Sequence, residues 1–195
     1  MTTSSKAIYL KIPILGNSNV GKTTLFNSFR AQTSKRFSYK TNEFIFLENV
    51  HHGNYIFNIQ IWDAMGINTY KKSKKDIFEN ASTAIVMYDV SDTTKRSYKD
   101  LRNWVERLWV ENGNGQIPIL IVGNKIDLRK SNIPTLHLDE CISIAKELHQ
   151  VSTLTIPIVE ISAITGDNCY QIFDYLLDLV IDFYLKNSHP FTLST

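Results

Sequence analysis

Apolar residues concentrate in six short runs, Ile8–Leu15, Phe44–Val50, Tyr55–Trp62, Ala84–Asp89, Ile117–Val122 and Ile156–Ile161. Their β-branched and aromatic content, bounded by polar or glycine-containing stretches, reads as strands. Elsewhere the apolar positions recur at helical spacing. Leu101, Trp104, Val105, Leu108 and Trp109 form one stripe, and Ile172, Phe173, Leu176, Leu177, Val180 and Ile181 form another near the end of the chain. A helix lying on a sheet must bury one face, so both stripes are expected to be core rather than partner sites. Strands alternating with helices predict a wound α/β sheet. The polar run His51-His52-Gly53-Asn54 joins the second and third strands as a hairpin, which makes one edge strand antiparallel and leaves the others parallel. His51 and His52 read as turn polars rather than metal ligands.

Composition narrows the picture without directing it. The 195 residues suffice for one α/β domain with a substantial core, and no repeat, low-complexity stretch or linker divides them. The expected domain covers residues 1–186, with 187–195 as a short frayed tail. A net charge of +2 with 21% charged residues gives no field that would favour nucleic acid, so no nucleic-acid partner is expected. Cys141 and Cys169 fall in helix-like segments and form no metal or redox spacing. They read as reduced packing residues of a cytoplasmic protein. The start Met1-Thr-Thr-Ser-Ser5 has neither a signal-peptide core nor a glycine for myristoylation, and no apolar run reaches membrane-spanning length.

The first strand leads into Gly16-Asn17-Ser18-Asn19-Val20-Gly21-Lys22-Thr23, followed by the helix-like Thr24-Leu-Phe-Asn-Ser-Phe29. This is a P-loop in its setting. The backbone N–H groups from Gly16 to Thr24, with the positive end of the next helix, would surround a polyphosphate. Lys22 would neutralise the β- and γ-phosphates, and the Thr23 hydroxyl would ligate Mg²⁺. Asp63-Ala64-Met65-Gly66 ends the third run. Because ligands of such folds lie beyond the carboxyl ends of the strands, Asp63 is placed to hold Mg²⁺ through water and the Gly66 N–H to reach the γ-phosphate.

Asn124-Lys125-Ile126-Asp127 follows another strand directly. A carboxylate there can accept hydrogen bonds from both N1–H and the 2-amino group of guanine, a pair adenine cannot offer. Asn124 would tie this loop to the P-loop, and Lys125 would cover the ring. Glu160-Ile161-Ser162-Ala163 would bring the Ser162 hydroxyl and the Ala163 N–H near the base.

With these elements the chain resembles the small GTPases of the Ras superfamily, and most closely the Rab branch, over essentially its whole length. Val86-Met-Tyr-Asp-Val-Ser-Asp92, Asn103-Trp104 and the interval from Asp63 to Asp89 are also Rab-like. The resemblance implies a P-loop GTPase fold with a six-stranded, mostly parallel sheet, one antiparallel edge strand and five flanking helices. It also implies a Mg²⁺-dependent GTP/GDP switch, expected in vesicle traffic. Two mobile regions, near residues 32–44 and 64–79, would meet effector and regulatory proteins. Thr41, eighteen residues after Thr23 as in the family, would ligate Mg²⁺ and touch the γ-phosphate.

Several positions depart from the family. Ile67 stands where a Gln normally orients the attacking water, so hydrolysis should be weak and no residue is assigned as catalytic; Asn17 and Asn68 are the nearest polar substitutes. The alternative is a non-hydrolysing, GTP-loaded interaction module. A P-loop kinase or ATPase is disfavoured by Asn124-Lys125-Ile126-Asp127. Ser34 replaces the aromatic that packs on guanine, with Phe37 able to substitute only in another register, so nucleotide should leave faster. Ile164, expected beside guanine, replaces a Lys. Asn19 replaces a Gly but tolerates the left-handed conformation. Lys71, Lys72, Lys74 and Lys75 read as a solvated face rather than a site for an acidic partner. The tail has no prenylatable cysteine, so no lipid anchor is expected in this chain unless it was cut from a longer polypeptide; membrane contact would then be peripheral, through partners.

Overall fold

The computed structural model describes residues 7–32, 37–40, 44–64, 75–113, 115–131, 133–152 and 154–186. Its centre is strand β1 (Ile8–Gly16), whose neighbours are β4 (Tyr55–Asp63) and β5 (Ala84–Asp89), both parallel to it. β6 (Ile119–Asn124) and β7 (Ile158–Glu160) continue the parallel sheet on one side. On the other, β3 (Phe44–His52) pairs antiparallel with β4, as the hairpin signal predicts. The six expected strands therefore form, and a four-residue strand β2 (Phe37–Lys40) adds to β3, giving the order β2-β3-β4-β1-β5-β6-β7. β2 takes the edge position in place of β3.

Around the sheet lie α1 (Lys22–Gln32), α2 (Lys75–Phe78), α3 (Arg96–Lys99), α4 (Leu101–Glu111), α5 (Leu138–Val151) and α6 (Cys169–Lys186). The short α3 abuts α4 at Asp100, so among the described residues the helical elements match the expected five with one of them broken. In α4 the buried residues are Leu101, Val105 and Leu108, while Arg102–Glu106 (2.7 Å) and Arg107–Glu111 (2.6 Å) pair four residues apart, the Arg107 guanidinium lying 4.8 Å from the centre of the buried Phe78 ring. Trp104 and Trp109 are half-buried against the same core, each with its indole N–H committed, that of Trp109 to Ile117 O at 3.1 Å.

Strand alternation divides the core by sheet face. Ile85 and Met87 of β5, with Leu120 and Val122 of β6, join Leu25, Phe29, Ile172 and Leu176 on the α1/α6 face. Val86 and Tyr88, with Ile119 and Ile121, join Leu101, Val105 and Leu148 on the α4/α5 face. A parallel strand covered on both sides must be apolar at both parities, which is why these runs are nearly continuous in the sequence. Cys169 is buried in the first cluster, and burial raises its thiol pKa; the Cys141 side chain lies outside the described residues.

The hairpin differs from the expected one. His51 and His52 are strand residues paired with Ile56 and Tyr55, and the turn is only Gly53-Asn54, with Gly53 at φ 56°. The cause is a bulge between Leu47 and Val50, where Asn49 takes φ 52° and inserts an extra residue into β3. His52 then reaches α6, its Nε2 lying 2.6 Å from Asp178 Oδ1.

Candidate functional site

The carboxyl ends of β1, β4, β5 and β6 converge where the chain order reverses about β1. Gly16 ends β1 at φ 132°, and a Cβ there would sit 2.3 Å from the Met87 carbonyl oxygen of β5. Only glycine fits this close approach. Asn19 adopts φ 65°, and Val20 buries its side chain in the α1/α6 core, anchoring the loop from below. Gly21 has φ 101°, and a Cβ would meet Asn124 Nδ2 at 2.1 Å. Its carbonyl accepts from Leu25 N–H at 2.9 Å, the first turn of α1.

Lys22 is buried, with Nζ donating to Gly16 O (2.9 Å) and Asn17 O (2.6 Å). Burial lowers its pKa, and the nearby Asp63 carboxylate opposes that shift. The Thr23 hydroxyl donates to Asp63 Oδ2 at 2.6 Å, so the two expected metal-binding side chains from α1 and β4 stand together. Thr41, Gly66, Ile67, Asn68 and Ser34 lie outside the described residues, as do Lys71, Lys72 and Lys74 and the tail 187–195.

Asn124 is the hinge of the second half. Nearly fully buried, it donates from Nδ2 to Val20 O (2.8 Å) and accepts at Oδ1 from the Ala163 N–H (2.9 Å). One side chain thus joins the P-loop, the end of β6 and the segment after β7. That bond directs the Ala163 N–H to Asn124. Asp127 lies in a 3-10 turn, Ile126–Ser131, and its Oδ1 accepts from the fully buried Ser162 hydroxyl at 2.6 Å. Between them Lys125 has φ 77°, and its Nζ pairs with Asp89 Oδ2 at 2.5 Å.

The Asp89 contact was not foreseen from sequence, although Asp89 belongs to the Val86–Asp92 run that carries the family likeness. Asp89 is itself held, its Oδ1 accepting from Ser91 N–H and Oγ, and its N–H donating to Ser97 Oγ at 3.3 Å. Ser97 in turn donates to Asp92. Burial pushes the Asp92 carboxyl upward, but four hydrogen bonds from Thr94 and Ser97 together bring it from 3.8 down to about 2. The folded state therefore holds fewer protons than the unfolded chain in that interval. The Asp92 contribution is complete above the unfolded pKa and is lost as pH falls from about 4 to about 2. Urea midpoints measured across this range should fall less steeply for Asp92→Asn than for the natural protein; identical slopes would show that Asp92 does not carry this linkage.

Asn17, considered as a substitute for orienting water, has its amide engaged at both ends, with Asp100 and with Trp104. The remaining geometry encloses a cavity of about 440 Å³ lined by Asn19, Gly21, Lys22, Thr23, Thr24, Asn124, Lys125, Asp127, Leu128 and Ile164. Ile164 is 77% exposed at its edge. An ammonium group and amide-rich loop at one end and a carboxylate at the other suit a ligand that is anionic at one end and a hydrogen-bond donor at the other.

A strand, a glycine-bounded turn with Lys-Thr and a helix, set at the switch point of a parallel sheet, define a P-loop domain. The sequence model of the Ras family matches residues 11–182. The chain is 30% identical over 183 residues to Ras-related protein Rab-11A of Dictyostelium discoideum, covering 92% of this chain and 79% of that protein. It is 31% identical over 180 residues to GTP-binding protein YPT53 of Saccharomyces cerevisiae, covering 90% and 78%, and 33% identical over 183 residues to Ras-related protein Rab-11C of D. discoideum, covering 91% and 75%. The chain belongs to the Ras family and is a divergent small GTPase of the Rab type. Among the described residues no helix is long and apolar enough to cross a membrane.

Proposed function

We propose that the chain is a switch that binds GTP and GDP in this cavity and hydrolyses GTP weakly, with a role in vesicle traffic. The observation that carries the reading is Asn124, which fastens the Lys22 loop and the Asp127 loop into one cavity through two buried hydrogen bonds. The residues 16–24 and Gly66 take the phosphates; Lys125, Asp127 and Ile164 face the base, with Asn124, Ser162 and Ala163 holding the loops around it. The Thr23 hydroxyl and Asp63 carboxylate, 2.6 Å apart, are the hard oxygen donors Mg²⁺ prefers, Thr23 binding the ion directly and Asp63 through water, and Thr41 completes the set when GTP is bound. The ion would supply charge neutralisation between the phosphates. Residues 1–186 form the GTPase domain, and the regions near 32–44 and 64–79 meet effectors and regulators. Membrane contact is peripheral and made through those partners.

Nucleotide released from the purified protein should be GDP or GTP, and GTP should displace it where ATP at the same concentration does not. Recovery of adenine nucleotide would overturn the reading.

Ile67 supports weak turnover, because its side chain can neither donate nor accept a hydrogen bond to an attacking water. Positioning and electrostatics supply nearly all the catalysis of phosphoryl transfer. Ile67→Gln should raise the single-turnover rate at least about tenfold, equivalent to about 1.4 kcal/mol. A natural protein that already hydrolyses GTP at the rate of that variant would refute the assignment. Undetectable hydrolysis in both would favour the second reading, a GTP-loaded interaction module that signals by exchange alone.

A further inference from the structure

The geometry points to Asp100 and Trp104 as positioning residues that clamp the P-loop through Asn17 and so set how long the nucleotide stays. The retention part rests on the guanine-nucleotide reading above. The clamp itself stands on contacts between parts of the chain more than eighty residues apart. Asn17 Nδ2 donates to Asp100 Oδ2 at 2.7 Å, and Asn17 Oδ1 accepts from the Trp104 indole N–H at 2.8 Å.

Asp100 occupies the position that starts α4, where an aspartate is ordinarily spent on the free N–H groups of its own helix. Here it makes no such cap, and the carboxylate oxygen goes to the loop instead. Trp104 follows one turn later on the same face. Both stand on a helix whose Leu101, Val105 and Leu108 are completely buried against the sheet, so the clamp is mounted on a rigid element. Two weaker neighbours complete the surroundings of Asp100, with Asn103 Nδ2 at 3.5 Å and Arg96 Nε at 4.0 Å.

The pairing needs an amide at position 17. An indole N–H requires an acceptor and a carboxylate requires a donor, and Asn presents one of each at the right length. The same residue's backbone carbonyl receives Lys22 Nζ at 2.6 Å. Holding the side chain therefore holds the turn that gives Lys22 its place and aims the loop's N–H groups. A loop fixed before the ligand arrives does not lose that conformational freedom on binding, so release of the clamp weakens retention.

The chemistry allows a reversal. Asn17→Asp removes the donor and sets two carboxylates against each other. Adding Asp100→Asn restores a donor–acceptor pair with the roles exchanged, while the indole keeps its acceptor. Fluorescent-GDP dissociation in Mg²⁺ should accelerate at least about tenfold in Asn17→Asp and return to within about threefold of the natural rate in the Asn17→Asp/Asp100→Asn pair. Trp104→Phe, which keeps the ring and loses the N–H, should also release faster. Amide hydrogen exchange of residues 16–23 in the nucleotide-free chain should rise in Asn17→Asp and fall again in the reversed pair. Unchanged release or exchange in Asn17→Asp, or failure of the pair to recover, overturns the clamp. If the natural protein holds no guanine nucleotide, the functional reading falls alone, because the exchange measurement still decides the clamp.

Discussion

Asp127→Asn is expected to lower GTP affinity at least about a hundredfold, about 2.7 kcal/mol, while opening the site to xanthine nucleotides. The carboxylate is fixed in place, since Oδ1 is held by the buried Ser162 hydroxyl at 2.6 Å and the 3-10 turn carries its backbone. An amide in the same place can keep the Ser162 bond through its oxygen. What then faces the base is an NH₂ group, a donor set against the N1–H and 2-amino donors of guanine. Xanthine replaces the 2-amino group by a carbonyl oxygen, which accepts from that amide. Because the exchange is isosteric, the folded chain should be little affected, and unchanged thermal melting separates a lost contact from a lost fold. Nucleotide affinities measured by titration for GTP and xanthosine triphosphate decide it. GTP affinity within about threefold of the natural protein, under about 0.7 kcal/mol, would remove Asp127 from the guanine site.

The parts of the molecule legible in sequence are those governed by local pattern. Runs such as Ala84–Asp89 announce parallel strands because both faces are covered, and the stripe of α4 announces its buried side. The glycines of the phosphate loop are legible as turn residues, yet the reasons for Gly16 and Gly21 are tertiary, namely the Met87 carbonyl and the Asn124 amide. Strand β2 escaped notice because it is four residues long and stands at an edge, inside a stretch read as a switch loop. His51 and His52 were misplaced because the extra residue at Asn49 cannot be seen in a hydrophobic pattern. The ties Lys125–Asp89 and Asn17–Asp100 join segments 36 and 83 residues apart, and no spacing rule reaches across such separations.

Lys22→Ala should separate binding from folding more sharply than any other substitution. In the folded chain the ammonium group is buried and its pKa lowered by that burial, so its enclosure costs stability that only part of its surroundings returns. Its protein acceptors are two backbone carbonyls, Gly16 O and Asn17 O, at 2.9 and 2.6 Å, beside the cavity. Water can satisfy those carbonyls once the side chain is gone. Thermal unfolding without nucleotide should therefore shift by only a few degrees, corresponding to about 1 kcal/mol or less. Binding responds differently, because a polyphosphate in the loop would lose the buried Lys22 cation, and a charge-assisted contact in a desolvated site has no substitute in water. GTP affinity should drop at least about a thousandfold, about 4.1 kcal/mol, as measured by equilibrium titration in Mg²⁺. The contrasting case is Asn124→Ala, which strands the Val20 carbonyl and the Ala163 N–H in the interior and should lower both affinity and unfolding temperature. A Lys22→Ala variant that melts like Asn124→Ala would make Lys22 a structural residue, and one that binds GTP normally would move the phosphate site elsewhere.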